Sequence, residues 1–189
     1  MTLFIKNMVC NRCKTAVKNE LDNLGLNTIN ITLGEVEIAE DALPGNTISK
    51  LDKTLRSIGF ELIDDRKSRI IEKIKTVIVS IVHYNHDKIR QKHSEIIAGE
   101  LHYDYPYLSN LFSEIEGVTI EQYIIQQKVE RIKELIVYDE LTLSAIAEQL
   151  GYSSVAHLSA QFKKITGLPP SHFKNRGPNQ RKGLDEVGR

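Results

Sequence analysis

Apolar and polar positions alternate in short runs over the first third of the chain. Leu3 and Ile5 form one such run, Ile29, Ile31 and Leu33 a second, Val36 and Ile38 a third, and Phe60 and Leu62 a fourth. A period of two sends successive side chains to opposite faces, so each run predicts a strand with one buried face. Between them the period changes. Val17, Leu21 and Leu24 are spaced four and three and stop at Gly25, while Ile48, Leu51, Leu55 and Ile58 are spaced three, four and three and stop at Gly59. That spacing lines one side of an α-helix, and glycine just past the last apolar position supplies a left-handed terminus. Gly34-Glu35 reads as a tight turn and Asn46 as a cap for the second helix. The predicted order over residues 1–65 is βαββαβ, a ferredoxin-like α+β domain.

Beyond the charged junction Asp64–Ser68 the pattern is helical throughout. Ile70, Ile74, Val77, Ile78 and Ile81 mark a helix that starts too soon after the last strand for a flexible tether. Further along lies an internal repeat. Tyr107-Leu108-Ser109-x-x-Phe112-x4-Gly117 recurs as His157-Leu158-Ser159-x-x-Phe162-x4-Gly167, an offset of 50, and Tyr123 answers Phe173. Upstream, Ile97-Ala98-x-x-Leu101 answers Ile146-Ala147-x-x-Leu150 at 49, so the two turns differ by one residue. One supersecondary unit is therefore used twice. Each copy reads as a helix, a turn and a second helix of the size that enters a DNA major groove. Residues 66–176 are thus an all-α domain with two helix-turn-helix units.

Local signals agree with that division. Asp104 is placed to cap the first recognition helix, with Pro106 tolerated in its opening turn. Thr119 and Gln122 form a capping box, and Val118 with Tyr123 a hydrophobic staple, for a central helix lined by Ile125, Val129, Ile132 and Ile136. Thr142 caps the next helix, which Leu141 and Ile146 can staple. Within the recognition helices Leu108, Leu111, Phe112, Leu158 and Phe162 fall on the core side. Tyr105, Ser109, Asn110, Ser154, His157 and Ser159 are the candidate DNA-facing residues, whose hydroxyls and amides suit phosphates or base edges. Lys163 and Lys164 are expected on phosphate. His83, His86 and His93 flank a polar loop and read as solvated surface.

Charge refines this picture. The chain holds 25 basic and 25 acidic residues, yet residues 1–65 hold 7 and 10 while residues 154–189 hold 7 and 2. A basic C-terminal region on a neutral protein suits a polyanion. The tail 177–189 is polar and basic and reads as mobile. No apolar run reaches the ~18–20 residues of a membrane span and no signal peptide opens the chain, which predicts a cytoplasmic protein without a membrane partner. No nucleophile, base and oxyanion donor come together in the sequence, so an enzyme is not expected.

The stretch Ile146–Lys174 resembles the signature region of the AraC/XylS transcription regulators. The matching residues are Ala147, Leu150-Gly151-Tyr152, Ser154, Ala156, Ser159, Phe162-Lys163-Lys164, Gly167, Pro170 and Phe173-Lys174. Leu158 and Ala160 depart from the pattern, as do Lys128 and Ile132 on the central helix. The resemblance implies double-stranded DNA as partner, read in successive major grooves, with a homodimer possible.

Only two cysteines occur, in Met8-Val9-Cys10-Asn11-Arg12-Cys13, at the joint of the first strand and helix. Helix N-terminal amides favour thiolates, so both sulfurs are expected to have lowered pKa values. Two soft donors on one loop suit Cu(I), Hg(II), Zn(II) or Cd(II). Met8 reads as a buried anchor beneath them. Residues 1–65 resemble the heavy-metal-associated domain of copper chaperones and metal-pumping ATPases, with Asn7 in place of that family's glycine before methionine. Cys10 and Cys13 would then hold the metal, with Cu(I) favoured. A redox dithiol and a metal-transfer protein stand as alternatives. The reading reached from sequence is a DNA-binding regulator controlled by a soft metal.

Overall fold

The computed structural model describes residues 1–63, 65–84, 91–139, 141–174 and 183–187. It divides into two compact units, Met1–Thr76 and Val77–Arg189.

In the first unit the elements run β1 (Thr2–Lys6), α1 (Asn11–Asn23), β2 (Thr28–Ile31), β3 (Glu35–Ile38), α2 (Gly45–Ser57), β4 (Glu61–Leu62) and α3 (Arg66–Val79), the last crossing into the second unit. The strands form one sheet in the order β2-β3-β1-β4, with β1 antiparallel to β3 and β4 and β2 antiparallel to β3. Leu3, Ile5, Val36 and Ile38 bury one sheet face with Val17 and Leu21 of α1 and Leu51 and Leu55 of α2. Phe60 and Met8 complete that core, and Met8 is the buried anchor expected of it.

Three expectations for this unit need correction. Ile29 is 63% exposed, because a bulge between Thr28 and Asn30 shifts β2 and the strand lies at the sheet edge. Ile48 and Ile58, at the two ends of the apolar stripe on α2, are exposed while the two middle positions are fully buried. Asn46 lies inside α2, whose N-cap is Pro44, and its side-chain oxygen accepts from the amide and the hydroxyl of the neighbouring Thr47.

The start of α3 belongs with the sheet. Phe4 alternates with Leu3 and Ile5 and so faces away from α1 and α2. The Arg69 guanidinium sits 4.3 Å from its ring centre, and Lys73 forms a 2.6 Å ion pair with Glu35. The units consequently divide after Thr76, inside α3, and not at the charged junction before it.

The second unit continues through a π-helical segment (Ser80–Tyr84), then α4 (His93–Leu101), α5 (Tyr105–Glu116), α6 (Ile120–Tyr138), α7 (Leu143–Gln149), α8 (Val155–Thr166) and α9 (Pro170–Lys174). The central α6 packs against α5, α7, α8 and α9, and α4 and α7 pack against their own partners α5 and α8. His83 is a correction: it is buried, with its Nε2 2.9 Å from the Oε1 of buried Gln127. Gln127 in turn donates to the Tyr123 hydroxyl and the Leu184 carbonyl. His93 is half-buried, and His86 lies outside the described residues. Part of the tail expected to be mobile is packed, since Val187 is buried and Leu184 accepts from Gln127. No described helix is long and apolar enough to cross a membrane.

Candidate nucleic-acid interface

The repeat seen in the sequence builds two equivalent frames. Leu108 and Phe112 on α5, and Leu158 and Phe162 on α8, are each fully buried. Phe112 meets Tyr123 and Phe162 meets Phe173, with ring centres 5.6 Å apart in both pairs. Corresponding side chains, 50 residues apart, therefore fix how α5 sits on α6 and how α8 sits on α9. The turns also correspond. His102 and Gly151, at the offset of 49, both take left-handed backbone, with φ of +56° and +71°.

Caps hold the ends. The Thr119–Gln122 capping box opens α6, with the two reciprocal bonds at 3.0 and 3.1 Å. Thr142 Oγ1 accepts from the Ala145 amide at the start of α7, and Ser154 Oγ accepts from the His157 amide at the start of α8. Asp104 occupies the N-cap of α5 with Pro106 just inside, but its side chain makes no cap hydrogen bond.

The eight candidate residues separate by what their atoms already do. Asn110 is exposed, on the outer side of α5, with its amide free to meet a base edge. His157 is exposed on α8; its Nδ1 lies 3.1 Å from Ser153 Oγ and its ring packs edge-on to Tyr152. Ser154 is exposed and spends an oxygen lone pair on the cap. Ser109 and Ser159, at matching positions, are half-buried. Lys163 and Lys164 are exposed in the last turn of α8. Tyr105 differs from the expectation most. It is half-buried, and its hydroxyl donates a short bond to the Glu121 carboxylate, tying α5 to α6. Burial, and then that carboxylate, push the Tyr105 pKa up, while the same bond holds the Glu121 carboxyl down.

Sequence reasoning missed one surface residue. Tyr107 is 45% exposed and stacks at 5.5 Å with Tyr103. It is the repeat counterpart of His157, and that correspondence was the signal for it. Ala160, the counterpart of Asn110, is likewise exposed and offers a methyl where α5 offers an amide.

The two frames differ electrically. Residues 93–117 contain five acidic side chains (Glu95, Glu100, Asp104, Glu114, Glu116) and no Lys or Arg, whereas residues 142–167 contain Glu148 against Lys163 and Lys164. Net charge is therefore −5 for the first and +1 for the second. Phosphate attraction favours the second.

The cysteines lie on the first unit. Cys10 is the extended N-cap residue of α1 and Cys13 sits in its first turn, with the sulfurs 3.2 Å apart and both free. The expected lowering of the thiol pKa fails for Cys13: partial burial, and then its hydrogen bond with Cys10, push it up. Asn7 adopts φ +70° and its Nδ2 donates to the Gly59 carbonyl, fastening the cysteine loop to the loop before β4. A positive φ is what a glycine would supply there. Among the described residues no third His, Cys, Asp or Glu joins the two sulfurs.

Residues 97–176 match a family model described as a helix-turn-helix domain. Over 138 residues the chain is 24% identical to the probable transcriptional regulator LumQ of Photobacterium leiognathi, covering 73% of this chain and 54% of that protein. A 72-residue stretch is 33% identical to the uncharacterized transcriptional regulatory protein YesN of Bacillus subtilis (strain 168), covering 37% and 20%. The chain thus spans about half the length of the first relative and a fifth of the second. The C-terminal domain of AraT, a response regulator from Geobacillus stearothermophilus, has a TM-score of 0.50 at 23% identity, with 63% of this chain and 95% of that one covered. At such identity the likeness concerns fold alone. Residues 97–176 therefore constitute a helix-turn-helix domain, present as two frames on a shared central helix.

Proposed function

We propose that this chain is a sequence-specific DNA-binding transcription regulator of the AraC/XylS type, whose first unit responds to a soft metal ion. The observation that carries the DNA reading is the doubled frame: two second helices, each held by a matched aromatic pair, with Asn110 and His157 on their outer sides. Asparagine can pair with adenine, and the lysines at the end of α8 suit phosphates. The names of the relatives support regulation as the role. The test is selection of a duplex from a random pool by the full chain, followed by affinity measurement with Asn110→Ala and Lys163→Ala proteins. No enrichment of any sequence would remove this reading.

The metal reading rests on the donor set. Cys10 and Cys13 would hold the ion, and the βαββαβ element order with strands in the order β2-β3-β1-β4 supports reading the first unit as a ferredoxin-like, heavy-metal-associated domain. Two sulfurs with no third ligand nearby fit a soft ion content with two donors, such as Cu(I). They fit Zn(II) poorly, since it takes four ligands. When bound, the ion supplies a positive charge and crosslinks the loop to α1. The residues themselves contribute a half-buried dithiol and, through Asn7, a fixed path to the loop before β4. The 3.2 Å contact also favours a second reading, in which the two thiols give up two protons and two electrons to an oxidant and form a disulfide. Measuring DNA affinity under anaerobic Cu(I), under peroxide and under reductant alone separates the two.

A further inference from the structure

The second unit contains a cavity of about 590 Å³ beside the turn between α7 and α8. That volume lies within the ~300–1,000 Å³ of small-molecule sites. Ile81 and Val82 of the π-helical segment, with Ala147, Leu150 and Val155, give it an apolar lining. Short π-helical stretches concentrate at functional sites.

Two basic side chains also line it. Lys128 of α6 is half-buried, with its Nζ 5.5 Å from the centre of the Tyr152 ring. It forms no ion pair or hydrogen bond with any described residue. His93, the first residue of α4, is half-buried near enough to feel that charge: burial, and then Lys128, push its pKa down. Burial alone lowers Lys128, and among the described residues no carboxylate opposes it. Glu148 also lines the cavity but is not paired with Lys128. An ammonium taken partly out of water without a counter-charge is costly. The cost is offset if the anion comes from outside the chain.

We propose that this cavity binds a small organic carboxylate, with its anionic head on Lys128 and His93 and its apolar body against Tyr152 and the Ile81–Val82 side. The segment Gly151 to Ser154 also lines the cavity, and Ser154 caps α8. Occupancy therefore acts on the start of the second recognition helix and is linked to DNA affinity in both directions. That linkage rests on the DNA-binding reading; the carboxylate site does not.

The experiment titrates the full chain calorimetrically with matched acids and alcohols, such as 4-phenylbutyrate with 4-phenylbutanol and hexanoate with hexanol. A charge-assisted contact should make each acid that binds about ten-fold tighter than its alcohol. Lys128→Met should abolish the preference while leaving the fold intact by circular dichroism, and His93→Gln should reduce it. Equal binding of acid and alcohol, no saturable binding in any pair, or an unchanged preference in Lys128→Met would overturn the proposal. So would a flat acid titration combined with a random-duplex salt slope that falls by about one in Lys128→Met, which would assign the lysine to DNA phosphate. A chain that binds the acids but selects no duplex keeps this site and loses the regulator reading.

Discussion

Exchanging His102 for glycine should make the second unit more stable, and the reverse kind of change at Gly151 should make it less so. His102 ends α4 with φ +56° and ψ +40°, a left-handed conformation that brings an L-residue's Cβ against its own carbonyl. That arrangement costs roughly 1–2 kcal/mol, and glycine avoids it. Glycine's greater freedom when unfolded takes back about 0.5–1 kcal/mol, so His102→Gly should gain roughly 0.5–1 kcal/mol. Nothing else is lost, because His102 is exposed and makes no hydrogen bond with the described residues. At Gly151, φ +71°, an added Cβ would meet nothing within 4 Å, so Gly151→Ala isolates the backbone effect and should lose a similar amount. Urea denaturation of the full chain, followed by far-ultraviolet circular dichroism and by melting temperature, measures both. Each change should move the midpoint by a few degrees, in opposite directions. A lower midpoint for His102→Gly would mean that the imidazole does something that its exposed position does not disclose. An unchanged midpoint for Gly151→Ala would mean that the turn relaxes out of the left-handed region, and the equivalence of the two turns would be lost.

Other sites give further expected outcomes. Asn110→Ala should cost about 1–3 kcal/mol at one base position of the selected duplex, while Lys163→Ala should weaken all duplexes alike and lower the salt slope by about one; unchanged affinities in both would remove the assignment of faces. Burial lowers the His83 pKa, so the unfolded chain takes up the proton first. The contribution of His83 is complete above the ordinary histidine pKa of about 6.5 and declines as pH falls from there toward the lower folded value. His83→Gln should therefore flatten stability against pH below the ordinary histidine value of about 6.5, and an equal slope in both proteins would contradict it. Cys10→Ser and Cys13→Ser should each abolish Cu(I) binding, since no third ligand stands by among the described residues to compensate. Metal and selected duplex should alter each other's affinity by one common factor, typically about 5–150-fold, and a wild-type factor of one would leave the metal site without regulatory effect.

Sequence periodicity reached the features that repeat or alternate. The offset of 50 forecast that Tyr123 and Phe173 answer each other, and both meet the aromatic ring of their own frame at the same distance. The Thr119–Gln122 capping box was legible because its chemistry is local to four residues. What escaped was decided by contacts remote in sequence. His83 sits where an apolar run, Ile81-Val82, gives way to the polar Asn85-His86-Asp87-Lys88, and only Gln127, 44 residues on, gives it a buried partner. Tyr105 reads as a groove residue from spacing alone, and its bond to Glu121, 16 residues on, lay beyond the reach of that spacing. Helix polarity alone predicts a lowered thiol pKa at Cys13, but it omits the desolvation that the neighbouring core imposes. Alternation showed Leu3 and Ile5 buried and could not say that Phe4 too would be covered, by Arg69.

The covering of Phe4 bears on how this protein can be taken apart. Composition invites a cut near residue 65, where the charged junction lies. A fragment ending there would bare the second face of its sheet, and its complement would begin on Ile70, Ile71 and Ile74, all buried in the intact chain. Both pieces would be prone to aggregate, and their failure would be easily mistaken for an intrinsically unstable domain. A first fragment carried through Thr76 retains Arg69 and Lys73 over the ring. The same helix limits recombination: a sensory module grafted here from another protein would have to arrive with a helix able to close its own sheet, because the cleavage point written in the charges is not the one written in the packing.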